Sequence, residues 1–512
     1  MIVLLLLAIL PVLALILRSK RSRSHPPLPP GPKPWPFIGN ILDMPTVQPW
    51  KKYQEWCKEY KSDVIFLDIP TRPTIILGSA KACFDLLDKR SNIYSDRVVL
   101  GWNFSLALMP YTPRWRAHRR MFHQEFYQGT VNKYRPAQRQ HARALLSWLS
   151  KDPQNTRQYI RQFVTSVIFF VTYGRKIDSM DDEYIGLAQG AVVGFSQASI
   201  PGAYWIEFLP FLRHIPSWIP GAASKKLIKK HRPLTVSMVD KPYTEAKIAI
   251  NNGTAPPSLA ASLIDRNIRK YGGTNEDPVY DQVIKNVTGV AYAAGADTTT
   301  SACSSFLLAM AMFPEVQKRA QAELDRIVGP SRLPDHDDLV HLPYIQATVM
   351  EAMRWMAVTP FGVPHAVTSD DFYNGYHIPK GAVIVPVSCC PMAILRNEKD
   401  YPSPDEFRPE RFLNNKGNID PSIRDPTTIA FGFGRRICLG RYFSNNTLSI
   451  FIASVLHVFN ITAGVDTTGK PVELSTEMEG GLVAMPCNIP CGLEPRSEAA
   501  TQLIREEETK EV

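Results

Sequence analysis

Paired cysteines are missing from this chain. Eight cysteines occur in 512 residues, at positions 57, 83, 303, 389, 390, 438, 487 and 491, with no Cys-x-x-Cys pair and no framework spacing. That excludes a disulfide scaffold and suits a reducing compartment. Zinc-finger spacing, an arginine-rich helix and an RNA-binding signature are also lacking, so no nucleic-acid partner is expected. The net charge of +10 then points to an anionic membrane surface or an acidic protein partner. No internal repeat or long low-complexity segment is found, which excludes solenoids and arrays. What remains is a chain 45% hydrophobic and 21% charged, ordinary for a globular enzyme and long enough for a large core.

Proline is abundant instead, with 43 residues that argue for many ordered turns. Residues 2–17 form an apolar run, followed at once by Arg18, Lys20, Arg21 and Arg23. A secretory signal carries its charge before the apolar run and a small-residue cleavage site after it. Here the charge follows, so residues 1–18 read as an uncleaved transmembrane anchor with the body on the cytosolic side. The run is at the short end for a span, which a thin bilayer accepts. Residues 19–36 read as a basic, proline-rich hinge; Pro26-Pro-Leu-Pro-Pro-Gly-Pro-Lys-Pro-Trp-Pro36 is stiff, extended chain that cannot continue a helix. A plain linker is the alternative.

Residues 37–496 read as one catalytic domain, mainly α with small β-sheets. Residues 63–68 and 74–78 predict a hairpin split by Pro70 and Pro73, with a helix over 80–89 behind it. Helices are expected over 281–312, from Pro314, and over 342–355, with short strands near 365–385 and 470–493. The polar tail, 497–512, reads as a frayed end. Sequons stand at Asn103, Asn252, Asn286, Asn445 and Asn460. A cytosolic body leaves them unglycosylated, and the apolar surroundings of Asn286 and Asn460 point to burial.

The most informative stretch is Phe431-Gly-Phe-Gly-Arg-Arg-Ile-Cys-Leu-Gly440. Gly434 and Gly440 lack a Cβ, so the backbone can turn tightly and approach a flat cofactor closely. Backbone N–H groups in such a turn can point at the Cys438 sulfur and tune it as an iron ligand. Arg436 can reach a carboxylate at the cofactor's edge, and Phe431 can keep water off the sulfur. A buried, inert cysteine is the alternative for Cys438 taken alone. Two further constellations fit the same picture. Trp115 and Arg119 share a helix face and can both donate to a cofactor carboxylate, or be core and solvated surface respectively. Ala294-Gly-Ala-Asp-Thr-Thr299 puts Gly295, Asp297 and Thr298 in an apolar helix. Thr298 can simply bond back to an upstream carbonyl and bend the helix. The notch also offers room, an acid and an alcohol for oxygen activation.

These runs together resemble the cytochrome P-450 family, the haem-thiolate monooxygenases, and in their details its fungal microsomal secondary-metabolism members. The resemblance spans the hinge to Gly440. It implies a fold wrapped around haem b, with Cys438 as axial iron ligand and Phe431, Gly434, Arg436 and Gly440 as its loop. It implies that Trp115, Arg119 and His365 contact the haem propionates, and that Asp297 and Thr298 deliver protons to bound oxygen. Glu351 and Arg354 would be locked by Arg411, a structural triad. Val358, Thr359, Phe361, Gly481 and Leu482 would border the substrate chamber, with the 99–110 loop, and residues 195–221 would form a membrane-dipping lid. The implied activity is insertion of one oxygen atom from O2 into a small lipophilic substrate, a secondary metabolite such as a terpenoid. Electrons would come from NADPH through a membrane reductase, at the endoplasmic reticulum, docking on a basic face that includes Arg435, Arg436 and Arg441. Two other readings stay open: a haem-thiolate isomerase or dehydratase of hydroperoxides, for which the Asp297–Thr298 pair would be superfluous, and a non-catalytic haem sensor.

Overall fold

A computed structural model describes residues 26–511 except 46, 71, 98–101, 103, 178, 200–203, 205–215, 217, 219–222 and 387–394. The expected anchor at 1–18, the start of the hinge and most of the expected lid lie outside the described residues. Among the described residues, no helix is long and apolar enough to cross a membrane.

The fold is mainly helical. Its principal helices are α1 (Pro49–Glu59), α2 (Pro113–Phe126), α3 (Arg135–Lys151), α4 (Thr156–Tyr173), α5 (Glu183–Ala198), α6 (Ala223–Asn251) and α7 (Leu259–Tyr271). They continue with α8 (Asp277–Met312), α9 (Pro314–Ile327), α10 (Pro343–Trp355), α11 (Arg441–Val458) and α12 (Glu498–Glu511). Prolines open several of them, at Pro113, Pro314 and Pro343, where the missing N–H costs nothing. Thr112 caps α2 by accepting from the Trp115 N–H at 3.4 Å.

The centre of the molecule is α8, 36 residues and therefore about 54 Å long. It is buried on most sides, so its polar side chains must find partners inside. Thr288, Thr298, Thr300 and Ser304 do so by donating to carbonyls four residues earlier, at 3.0, 2.7, 2.6 and 2.8 Å. Gly295 is needed for packing: a Cβ there would lie 2.8 Å from Ile168 Cγ1 of α4. The missing side chain of Gly295 thus makes room for a neighbouring helix.

The hairpin forms as expected from β1 (Val64–Leu67) and β2 (Thr74–Leu77), paired antiparallel with Val64 opposite Leu77. It is the edge of a five-stranded sheet completed by β3 (Asp96–Arg97), β4 (His365–Ala366) and β7 (Val383–Val385), in the order β1-β2-β7-β4-β3. The register places Arg97 opposite His365. Between β4 and β7 in sequence, β5 (Asp371–Tyr373) and β6 (Tyr376–Ile378) make a small hairpin. Near the C-terminus, β8 (Phe459–Thr462) pairs with β11 (Gly492–Pro495), and β9 (Met478–Gly480) with β10 (Ala484–Pro486). The strand β8 was not anticipated.

The described part of the hinge is docked on β1 of the five-stranded sheet and on β6 of the small hairpin. The Phe66 N–H donates to Pro30 O and the His377 N–H to Pro27 O, both at 2.9 Å. Gly31 allows the approach, since a Cβ there would fall 2.0 Å from Phe66 O. The stretch is therefore a strap of the fold, not a plain linker.

The C-terminal tail is a correction. It is not frayed: α12 packs Ala500, Leu503 and Ile504, all buried, against α3. Those apolar residues recur at helical spacing inside a charged sequence, a stripe that the polar composition hides. Arg143 and Glu507, 3.7 Å apart, add an ion pair across the same seam. Leu503→Ala is expected to cost about 2 kcal/mol, measured as a lower urea midpoint; an unchanged midpoint would mean the helix contributes nothing. Of the two sequons expected to be buried, Asn286 is, whereas Asn460 points out from the alternating strand β8.

Candidate functional site

The Cys438 loop is built between two elements. Phe433, buried, stacks edge-on against Phe84 at 4.9 Å and fixes the start of the turn. Gly434 adopts φ +51°, and a Cβ there would stand 2.3 Å from Leu87 O. Its constraint is thus contact with the turn at 84–89, and only glycine fits. The loop closes with the Cys438 N–H donating to Phe431 O at 2.8 Å. Phe431 contributes its carbonyl to the loop and its half-buried ring to the main core.

Cys438 lies just ahead of α11, whose N-cap is Gly440. The free N–H groups at this helix start, those of Gly440 and Arg441, point at the sulfur. Burial pushes the thiol up, while these N–H groups and the guanidiniums of Arg441 and Arg119 pull it down. The sulfur is accessible yet enclosed by protein, so it faces inward. A Cβ on Gly440 would meet only this sulfur, at 3.9 Å. Burial outweighs the donors, so the thiol of the protein alone is held above its ordinary range; the donors act toward the thiolate, the form that ligates a metal.

Beside the loop sits a buried cationic cluster. Arg436 Nε donates to Ser95 O at 2.7 Å, and its Nη atoms to Leu106 O and Met109 O at 3.2 and 2.7 Å. Its guanidinium lies 4.4 Å from the Trp115 ring centre, with that of Arg119 at 5.4 Å. Trp115 Nε1 donates to Leu106 O at 3.2 Å, and both Nη atoms of Arg119 donate to Ile437 O at 3.2 Å, one residue before Cys438. Arg97 donates to Ala107 O and Pro364 O at 2.9 and 2.8 Å. His365 Nδ1 is 2.7 Å from Tyr94 O, and its neighbours Arg97 and Arg436 add to burial in holding the imidazole well below its ordinary range. With Nδ1–H donating to that carbonyl, Nε2 is left as the second polar atom of the ring.

Arg119 and Arg436 have no carboxylate within ion-pairing distance among the described residues. Burial pushes Arg119 down to about 10 and Arg436 down to about 9. Buried cations are costly without a counter-charge. A flat iron-binding group carrying two carboxylates fits this set: a sulfur for the metal and two buried guanidiniums for its acidic edge, whereas the one Trp115 N–H is given to Leu106 O and the His365 Nδ1–H to Tyr94 O, so the expected donation from these two to the carboxylates is not what the structure shows. Arg436 is turned inward and is not part of an outer basic face, as the sequence reading had it; Arg435 and Arg441 carry that face. Arg97 was missed in the sequence, where a lone arginine in a two-residue strand gives no signal.

On α8, Thr298 Oγ1 donates to Ala294 O at 2.7 Å, so the hydroxyl oxygen keeps its acceptor sites. Asp297 is buried, and its carboxyl is pushed up by burial and pulled back by Arg161. Thr299 Oγ1 lies 3.4 Å from Ser444 Oγ, joining this part of α8 to the first turn of α11, just past Cys438. Ser301 Oγ donates to Ala484 O at 2.5 Å and the Ala484 N–H to Val358 O at 2.9 Å. The β9–β10 hairpin is thereby fastened both to α8 and to the 358 segment. Val358 and Thr359 are half-buried there. Phe361 and Leu482 instead pack in a separate apolar cluster with Trp50 and Tyr53, Phe361 without accessible surface, and Gly481 is buried beside them.

The Glu351–Arg354–Arg411 group is fully buried. Arg354 Nε and Nη2 donate to the two Glu351 oxygens at 2.7 and 2.8 Å, and Arg411 Nε donates to Oε1 at 3.1 Å. The remaining guanidinium N–H groups donate to the carbonyls of Leu395, Pro404, Glu406, Pro402 and Ser403. The triad ties α10 to the 402–411 segment.

The whole-chain comparisons agree with this arrangement. A family model described as cytochrome P-450 matches residues 29–486. A cytochrome P-450 monooxygenase of Rhodocybe pseudopiperita is 39% identical over 500 residues, covering 96% of this chain and 94% of its own. One of Coprinopsis cinerea is 38% identical, covering 97% and 94%, and the tryptamine 4-monooxygenase of Psilocybe cyanescens is 38% identical, covering 94% of each. The inward-facing thiol at a helix start, the buried arginines around it and a match running the length of the fold lead to one assignment: the chain belongs to the cytochrome P-450 family, oxygen-using monooxygenases whose haem is held by a cysteine thiolate.

Proposed function

We propose that this chain binds haem b and inserts one oxygen atom into a small lipophilic metabolite, such as a terpenoid, drawing electrons from NADPH through a reductase. The observation that carries the reading is the Cys438 sulfur, set at the start of α11 with the Gly440 and Arg441 N–H groups directed at it. Haem supplies the oxygen activation when bound, and a thiolate ligand favours O–O cleavage. The residues of this chain do the rest. Arg119 and Arg436 orient the group by its carboxylates, with Trp115, His365 and Arg97 packed beside them. Asp297, whose carboxyl is biased toward its protonated form, holds a proton, and Thr298 Oγ1 passes it inward. The closed apolar clusters around Phe361 and Phe306 exclude water from the interior.

A small-molecule substrate is supported by the fungal relatives, which are monooxygenases, one of them named for acting on tryptamine. Residues 2–17 and the basic run after them support an anchor in the endoplasmic reticulum membrane. Arg435 and Arg441 on the outer side of the loop suit an acidic reductase.

The test is turnover with isotopically labelled molecular oxygen, NADPH and a reductase. One labelled atom per product is expected, and Thr298→Ala should divert NADPH to hydrogen peroxide. Unlabelled product, or turnover without NADPH, would contradict the reading.

A further inference from the structure

Arg161 belongs to no motif, yet it is the charged side chain that reaches Asp297. It sits in α4 between buried neighbours, Ile160, Gln162, Phe163, Val164 and Thr165. Its Nε lies 3.9 Å from Asp297 Oδ1 and has no hydrogen-bond partner. Its Nη2 approaches Met485 Sδ of β10 at 4.0 Å. One turn earlier on the same face, Arg157 donates to Glu479 Oε1, Pro486 O and Cys487 O at 2.9, 3.0 and 2.5 Å. Exposure falls along this seam, from 58% at Glu479 and 37% at Arg157 to 21% at Arg161 and 9% at Asp297.

The contrast with the other buried pair is informative. Glu351 and Arg354 meet at 2.7 and 2.8 Å with the guanidinium fully occupied, as a structural pair should. Arg161 and Asp297 stand further apart with a donor left over. That spacing is suited to a bridging water and to a carboxyl that turns between two partners.

We propose that Arg161 is the positioning residue for Asp297, and that the seam between α4 and the β9–β10 hairpin is the path by which protons reach it from solvent. This rests on the reading of Asp297 as the proton donor. Arg161 attracts the carboxylate form, so Asp297 gives its proton inward and returns to Arg161 as the anion. A proton from water arriving along Glu479 and Arg157 then restores the acid. Among the described residues, Arg161 is the charge that acts on Asp297. Met485 beside it and Ser444 on α11 do not titrate, and Glu479 is engaged by Arg157.

The test compares holoenzyme of the wild type with Arg161→Gln, Arg161→Leu and Arg161→Lys. The infrared carbonyl stretch of the protonated carboxyl, identified by its loss in Asp297→Asn, is titrated with pH. Removing the cation takes away attraction for the anion, so the midpoint should rise by about one unit, a tenfold change in proton affinity, in the Gln and Leu forms. Lysine should restore it. The same two variants should release several-fold more hydrogen peroxide per NADPH, with a larger solvent isotope effect. An unchanged midpoint, peroxide yield and isotope effect in Arg161→Gln, with the carbon monoxide spectrum of the wild type, would overturn this proposal alone. A wild type without a thiolate spectrum would overturn the function beneath it.

Discussion

Cys438→Ser should abolish monooxygenase turnover while leaving the chain folded. The side chain makes no hydrogen bond that holds the loop: the closing contact is from the backbone N–H of residue 438 to Phe431 O, and serine keeps it. What is lost is the soft, electron-rich sulfur that two backbone donors and two guanidiniums stabilise as an anion. A hydroxyl at this position cannot become an anion near neutral pH. The variant should therefore retain the thermal transition of the wild-type apoprotein and lose both turnover and the thiolate signature. Cys487→Ser, at a half-buried cysteine away from the loop, should change neither. Turnover surviving in the Cys438 variant would remove the sulfur from the chemistry.

Glu351→Ala should act on the fold instead. Glu351 accepts from Arg354 twice, from Arg411 and from the Arg408 N–H, all inside the protein. Its loss leaves two buried guanidiniums facing each other with no anion between them. Breaking such a pair costs about 3–5 kcal/mol, a large part of the stability of most domains. Soluble yield and haem content should collapse together. By contrast, Lys318→Ala breaks an exposed pair with Glu315 and should leave the denaturant midpoint where it is. Wild-type-like yield and denaturant midpoint for Glu351→Ala would show that the triad carries no stability.

Much of this was legible in the chain. Local signals sufficed where one element carries the whole pattern, as for the hairpin, the long helix α8 and the tight turn before Cys438. The Glu351 triad was legible only through the family resemblance, because a Glu and an Arg three apart on a helix are common and say nothing by themselves of burial or of Arg411. What could not be read depends on contacts between distant segments. The packing of Gly295 on Ile168 is one example, because the sequence shows that a side chain is missing but not which way the gap faces. The inward turn of Arg436 is another: nothing before Cys438 says that Ser95, Leu106 and Met109 will offer it carbonyls. Arg161 had no local signal, since Arg157, Gln158 and Gln162 surround it in the chain, and it acquires meaning only when α4 is set against Asp297. The α12 stripe was overlooked because its composition is polar although its spacing is helical.

The account stands on a thiolate at position 438 holding haem iron. The most direct measurement is the carbon monoxide difference spectrum of the dithionite-reduced, full-length protein. The red-shifted band of a thiolate-ligated haem is expected. A band at the position of nitrogen-ligated haem, or a protein that takes up no haem, would contradict it.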